Sequence, residues 1–153
     1  MKKILVCVDN TKGSLPIVDT MARLFPCVKP DEIILLYVEK LEGLSMMDDL
    51  VTDTEIMELK EALKGTDYKE LLDKKAQKIM DYFKKALEEK GITGIRPVIR
   101  EGHPVEEILK IAEEEGVNMI VVGSRGKRLH NILLGSVSRE IANRANVPVL
   151  IVK

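Results

Sequence analysis

Apolar residues gather in five short blocks: KILVCVD (3–9), EIILLYV (32–38), IRPVIRE (95–101), NMIVVG (118–123) and VPVLIVK (147–153). Most are unbroken runs of Val, Ile and Leu. Such runs suit strands of a parallel sheet that is covered on both faces. Their shortness and their β-branched residues predict strand rather than buried helix. IRPVIRE differs, because it alternates and contains Pro97, which lacks a ladder donor. It reads as an edge strand.

Between the blocks the apolar spacing changes to that of helices. Ser14 is placed to cap a helix running through Leu24, with Pro16 in its first turn. Tyr68, Leu71, Leu72, Ala76, Ile79, Met80, Phe83, Ala86 and Leu87 form one apolar face of a longer helix. Thr66 or Asp67 can cap that helix and Gly91 ends it. Pro104 suits a first helical position, followed by Val105, Ile108, Leu109, Ile111 and Ala112, with Gly116 as the stop. A last helix spans about Ser136 to Arg144. The stretch 40–64 is less regular. Thr52 to Lys64 is helix-like, Gly65 breaks it from the next helix, and Leu44 to Asp49 reads as loop. It reads as a surface excursion, with a flap over a site as the alternative. The alternation of strand and helix predicts an α/β chain with a parallel sheet between two helical layers, and ligands in such sheets favour the carboxyl ends of the strands.

Composition narrows the class. The chain has 153 residues, 45% hydrophobic and 32% charged, with 3% aromatic and no Trp. That length fits one domain with an aliphatic core. A net charge of −1 gives no global attraction to nucleic acid or an anionic membrane. Two cysteines, Cys7 and Cys27, do not make a disulfide framework, so a cytoplasmic protein is expected. The opening MKKILVCVDN echoes a signal peptide, but Asp9 ends the apolar run too early. No stretch approaches the roughly 20 apolar residues that span a bilayer.

Candidate chemistry concentrates in GSRGKRLHNILLGSVS (123–138). Gly123 stands at the end of the fourth block, Gly123 and Gly126 bracket a turn, and Gly135-Ser136 opens the last helix. A helix start presents unpaired N–H groups and a partial positive charge, which suits an anion. Ser136 and Ser138 add hydroxyls, and Arg125, Lys127 and Arg128 add charge. The plain alternative is a strand-ending glycine and a serine cap. No G-x-x-x-x-G-K-[ST] occurs, so this is not a Walker loop. Asp9, after the first strand, can cap the amides of Thr11 or Lys12. His103, His130, Cys7 and Cys27 show no metal-ligand spacing, and no Ser/His/Asp or Cys/His arrangement emerges.

The glycine stretch resembles the nucleotide-binding motif of the universal stress protein family: Gly, two residues, Gly, nine residues, Gly, then Ser or Thr. KILVCVDNTKGS, LLYVEK, VIREGHPVEEILKIAEEEGVNMIVVGSRG and NVPVLIVK are similar to the family's other segments, so the resemblance covers the chain as one domain, 1–153. It implies a three-layer, Rossmann-like sandwich of the adenine nucleotide alpha hydrolase type, with five parallel strands ordered 3-2-1-4-5. It implies ATP, or AMP or ADP, with Mg²⁺ or Mn²⁺ on the phosphates. Val8, Asp9, Val38, Val122, Gly123, Arg125, Gly126, Gly135, Ser136 and Val137 would hold the nucleotide. Unaided, each of the three valines reads as a core residue. The resemblance also implies a homodimer through 147–153 and a stress-related sensor or switch rather than an enzyme, with an unidentified protein partner. One departure stands out: eight residues, not nine, separate Gly126 from Gly135. The alternative reading is therefore a dimeric scaffold that binds no nucleotide. An adenylate-forming enzyme of the ATP pyrophosphatase type would need an S-G-G-x-D-S-like loop, which DNTKGS does not supply.

Overall fold

Each apolar block becomes a strand. In a computed structural model that describes residues 2–40, 67–124 and 134–153 and the helical positions Thr54, Glu58 and Glu61, the strands are β1 (Lys3–Val8), β2 (Glu32–Glu39), β3 (Ile95–Glu101), β4 (Met119–Gly123) and β5 (Val149–Val152). They form one parallel sheet of order β3-β2-β1-β4-β5. This is the expected architecture, and β3, with Pro97, lies at an edge. The helices are α1 (Pro16–Val28), α2 (Asp67–Glu89), α3 (Pro104–Glu114) and α4 (Ser136–Arg144), with a 3-10 turn at Lys12–Ser14. The expectations for Leu44 to Asp49, for Gly65 and Thr66, for most of Thr52 to Lys64, for the Tyr68 side chain and for residues 125–133, Arg125, Gly126 and His130 included, lie outside the described residues.

Strand alternation sends successive side chains to opposite layers. Ile4, Val6 and Val8 of β1, with Ile33, Leu35 and Tyr37 of β2, pack against α1 and α2. Leu5 and Cys7, with Ile34 and Leu36, pack against α3 and α4. Ile33, Ile34, Leu35 and Leu36 are all wholly buried, which explains the unbroken apolar run. Each such side chain contributes roughly 1.5–3 kcal/mol through burial.

Local differences from the sequence reading have local causes. α1 continues through Pro26 to Val28. Pro26 lies in the last turn, where its missing N–H removes a single helical bond, and Lys29 then ends the helix at φ 42°. Ser14 does not cap α1. Leu15 is at the cap position, without a side-chain cap bond, and Ser14 turns back to the end of β1 instead. Leu71, expected on the apolar face of α2, is exposed, while Ala76, Met80, Phe83 and Leu87 carry the buried stripe.

Candidate functional site

β1 and β4 are neighbours, with Cys7 opposite Val122, so Asp9 and Ser124 leave the sheet side by side at its carboxyl edge. Asp9 organises the chain that follows it. Its Oδ1 accepts from the Thr11 amide at 2.8 Å, the Thr11 hydroxyl at 2.6 Å and the Ser14 hydroxyl at 2.8 Å. Ser14 Oγ in turn accepts from the Asp9 amide at 2.9 Å. The loop-cap role of Asp9 is thus realised on one oxygen, and Oδ2 has no hydrogen-bond partner among the described residues.

Gly123 sits against that turn. A Cβ added there would lie 2.4 Å from the Gly13 carbonyl oxygen. The bare Cα is therefore required by the protein's own backbone, whatever binds nearby. β4 then hands over to α4 through a pair of main-chain bonds. The Ser124 amide donates to Val152 O at 2.7 Å, and the Gly135 amide donates to Ser124 O at 2.7 Å. The second bond ties together the two ends of the stretch 125–133. It also occupies the Gly135 N–H, so the donors left at this helix start are the amides of Ser136, Val137 and Ser138, which have no intrahelical acceptor. Ser138 Oγ donates to Gly135 O at 3.0 Å and the Arg139 amide to the same oxygen at 3.1 Å, which fixes the first turn of α4. Gly135 has φ −58° and ψ 155°, and no side chain caps the helix.

The three valines do not share a face. Val38 and Val122 belong to the α3–α4 layer, whereas Val8 belongs to the α1–α2 layer. Val8 and Val122 are buried and Val38 is half-buried. The structure thus brings Asp9, Gly123, Gly135, Ser136 and Val137 to one edge of the sheet, while Arg125 and Gly126 lie outside the described residues.

A second cluster at the carboxyl edge escaped the sequence reading. Glu39 and Glu101 are paired in register at the ends of β2 and β3. Lys69 Nζ lies 2.9 Å from Glu39 Oε2 and 2.8 Å from Asp73 Oδ1, and it also pairs with Glu101. Like charges opposed on adjacent strands repel, and the ammonium between them offsets this. Glu39 is 2% exposed and its Oε1 has no hydrogen-bond partner among the described residues. Burial raises its carboxyl above the usual range against the pull of Lys69. The cluster raises no flag in sequence because Glu39 and Glu101 lie far along the chain from the i,i+4 pair Lys69 and Asp73. A strand register was needed to find them.

Cys7 is buried and Cys27 exposed. Burial pushes the Cys7 thiol well up, away from thiolate chemistry. His103 is exposed at the start of α3. Among the described residues no helix is long and apolar enough to cross a membrane.

Known proteins share this fold. Universal stress protein MJ0577 of Methanocaldococcus jannaschii is 36% identical over 155 residues, spanning 99% of this chain and 94% of that protein. A solved structure of MJ0577 matches with a TM-score of 0.72 over 99% of this chain and 95% of that one. A solved universal stress protein in complex with cAMP, 21% identical, has a TM-score of 0.65 over 99% of this chain and 96% of its own. One from Archaeoglobus fulgidus in complex with dAMP, 20% identical, has a TM-score of 0.58 over 100% of this chain and 98% of its own. The family model of universal stress proteins matches residues 1–153, and the chain belongs to the universal stress protein family.

Proposed function

We propose that this chain binds an adenine nucleotide, ATP in the first instance, at the carboxyl ends of β1 and β4, and acts as a nucleotide-dependent switch in a cytoplasmic stress response. The observation that carries the reading is the unpaired first turn of α4. Three consecutive amides, those of Ser136, Val137 and Ser138, are held in place by the Gly135–Ser124 bond. Backbone donors at a helix start favour phosphate groups. Asp9, across the same edge, has an oxygen left over to accept from a ribose hydroxyl. Val38, half-buried on the α3–α4 side of the sheet, offers apolar surface. Support also comes from relatives of the same fold that hold cAMP and dAMP. A divalent ion, Mg²⁺ or Mn²⁺, would arrive with the triphosphate and lower its charge. Asp9 is tied by one oxygen to Thr11 and Ser14, which suits it to holding a hydroxyl, so the reading is of binding rather than turnover.

Isothermal titration calorimetry with Mg·ATP and with AMP tests this on wild type and Ser136→Pro. Proline is tolerated at the first helical position, and the extended ψ of 155° at Gly135 is what a residue before proline adopts. The substitution removes one amide and one hydroxyl while keeping the helix. The reading expects wild type to bind and Ser136→Pro to bind at least tenfold more weakly at an unchanged unfolding temperature. Equal affinity would sink the assignment of α4. No heat with wild type at millimolar ATP would favour the scaffold that the eight-residue spacing suggests. We also propose a homodimer through β5, whose half-buried Val149, Leu150 and Ile151 lie at the sheet edge, where an apolar strand can pair with a second copy. Sedimentation velocity tests it, and a monomer at tens of micromolar would refute it.

A further inference from the structure

The exposed surface of α2 is sorted by charge and polarity. Leu71, Lys74, Lys75, Lys78 and Tyr82 recur at helical spacing along one flank, and Glu70, Asp73, Gln77 and Asp81 along another. The first flank faces the turn that follows β1. Between them lies a cleft of about 400 Å³, lined by Asn10, Leu71, Lys74, Lys75, Lys78 and Ile79. It runs on past Asn10 and Lys78 into a hollow of about 300 Å³ bounded by Lys12, Leu15, Tyr82 and Phe83.

Two independent properties mark this groove. Four large apolar side chains stand exposed among the described residues, and three of them border it: Leu71 at 68%, Tyr82 at 57% and Leu15 at 47%. Exposed apolar groups gathered in one place are typical of a binding surface. The charges around them are also unmatched. Lys12, Lys74, Lys75 and Lys78 have no ion-pair partner among the described residues. Farther along the same helix, Lys84 and Lys85 pair with Glu88 and Glu89. The acid that lines the groove, Asp9, has one oxygen taken up by Thr11 and Ser14.

We propose that this groove docks an acidic amphipathic helix of another protein. Apolar side chains of the partner would settle on Ile79 and Phe83 between Leu71, Leu15 and Tyr82. Its carboxylates would meet the four lysines. From Leu71 to Tyr82 the wall extends about three turns, or roughly 16 Å, enough for the i, i+3, i+4, i+7 anchors of a docked helix. A nucleic-acid backbone would match the lysines but leave the aliphatic groups unused. The site is built on α2 and residues 9–15; it borders Asp9 but uses none of the α4 amides, so the peptide test is run without nucleotide and its outcome does not depend on binding at α4.

Fluorescence anisotropy tests it with a labelled helical peptide carrying leucines at i, i+3, i+4 and i+7 and glutamates elsewhere. The same peptide with lysine for glutamate, a DNA duplex and phosphatidylserine-containing vesicles run beside it. The expected result is saturable binding of the acidic peptide alone, weakened by salt. Binding should fall about tenfold or more in Lys75→Glu/Lys78→Glu and, separately, in Leu71→Ser/Tyr82→Ser. Far-UV circular dichroism should match wild type in both variants; Lys75→Glu/Lys78→Glu should keep its unfolding temperature, whereas Leu71→Ser/Tyr82→Ser loses the edge-on contact of Tyr82 with Phe83 and is compared at a temperature where it is fully folded. Failure of the acidic peptide to saturate, equal affinity in either variant, or preference for the DNA or the vesicles would overturn the proposal.

Discussion

Alanine at Gly123 asks how tightly the two strand ends are fitted together. Gly123 does not have a positive φ, so an added Cβ carries no conformational cost of its own, and the whole effect is contact. The Cβ would lie 2.4 Å from Gly13 O, 2.9 Å from Gly13 C and 3.4 Å from Ser14 N. Ordinary contact distances are about 3.5–4.0 Å, so the 3-10 turn must retreat by roughly 1 Å. The atoms in the way are backbone and cannot rotate aside. Ser14 belongs to that turn, and its bonds to Asp9, 2.8 and 2.9 Å long, would stretch with it. Overpacking of this kind costs about 1–3 kcal/mol, which for a chain of this size lowers the unfolding temperature by about 2–12 °C. Nucleotide affinity should fall as well, because Asp9 loses its support. Thermal unfolding and ATP titration of Gly123→Ala read both. An unfolding temperature within 1 °C of wild type would show that the close approach is not fixed in solution, and the reasoning about the turn would fail.

Other perturbations follow from the same contacts. Ser14→Ala removes the acceptor of the part-buried Asp9 amide and one donor to Oδ1; urea unfolding should show a loss of about 1–3 kcal/mol, and ATP affinity should drop with it, whereas an unchanged midpoint would contradict the account. Glu39→Gln should raise the unfolding temperature at pH 7 by about 2–4 °C, the equivalent of roughly 1 kcal/mol, because Lys69 keeps Asp73 and Glu101. Burial raises the Glu39 carboxyl, so the ionised form is the unfavourable one, and the advantage of Gln should shrink as pH falls and Glu39 takes up a proton; a large loss at pH 7 would contradict this. Arg96 holds the carboxyls of Glu32 and Glu115 below the usual range, through hydrogen bonds of 2.6 Å to Glu32 and 2.8 Å to Glu115. The stability these pairs lend is present above the ordinary carboxylate range and is lost as pH falls through the depressed values, so Arg96→Gln should melt earlier than wild type at pH 7, with the gap closing below about pH 4; a gap independent of pH would refute the pairing.

The sheet was legible because both its faces are covered. Val, Ile and Leu fill most of the central positions of β1, β2 and β4, and such a run has few other uses. The strand order came from the family resemblance, which rests on segments spread along the chain. What escaped was contact between distant residues. Val38 looked like the end of β2 because Glu39 is charged, yet Lys69, thirty positions on, lets Glu39 stay buried in the strand. Ser14 looked like a helix cap, since nothing local says that its hydroxyl is needed by Asp9. Gly123 was read as one bracket of a tight turn, yet the space that it leaves is filled by Gly13. Leu71 fitted the apolar period of α2, but its neighbours at that turn leave it outside the packed stripe.

Backbone ¹⁵N–¹H spectra recorded during addition of Mg·ATP test the central claim most directly. The account predicts that the largest amide shifts fall on Ser136, Val137 and Ser138, with smaller ones at Asp9, and that Gly135, whose N–H is bound to Ser124, moves little. Saturating nucleotide that leaves the start of α4 unchanged would contradict it.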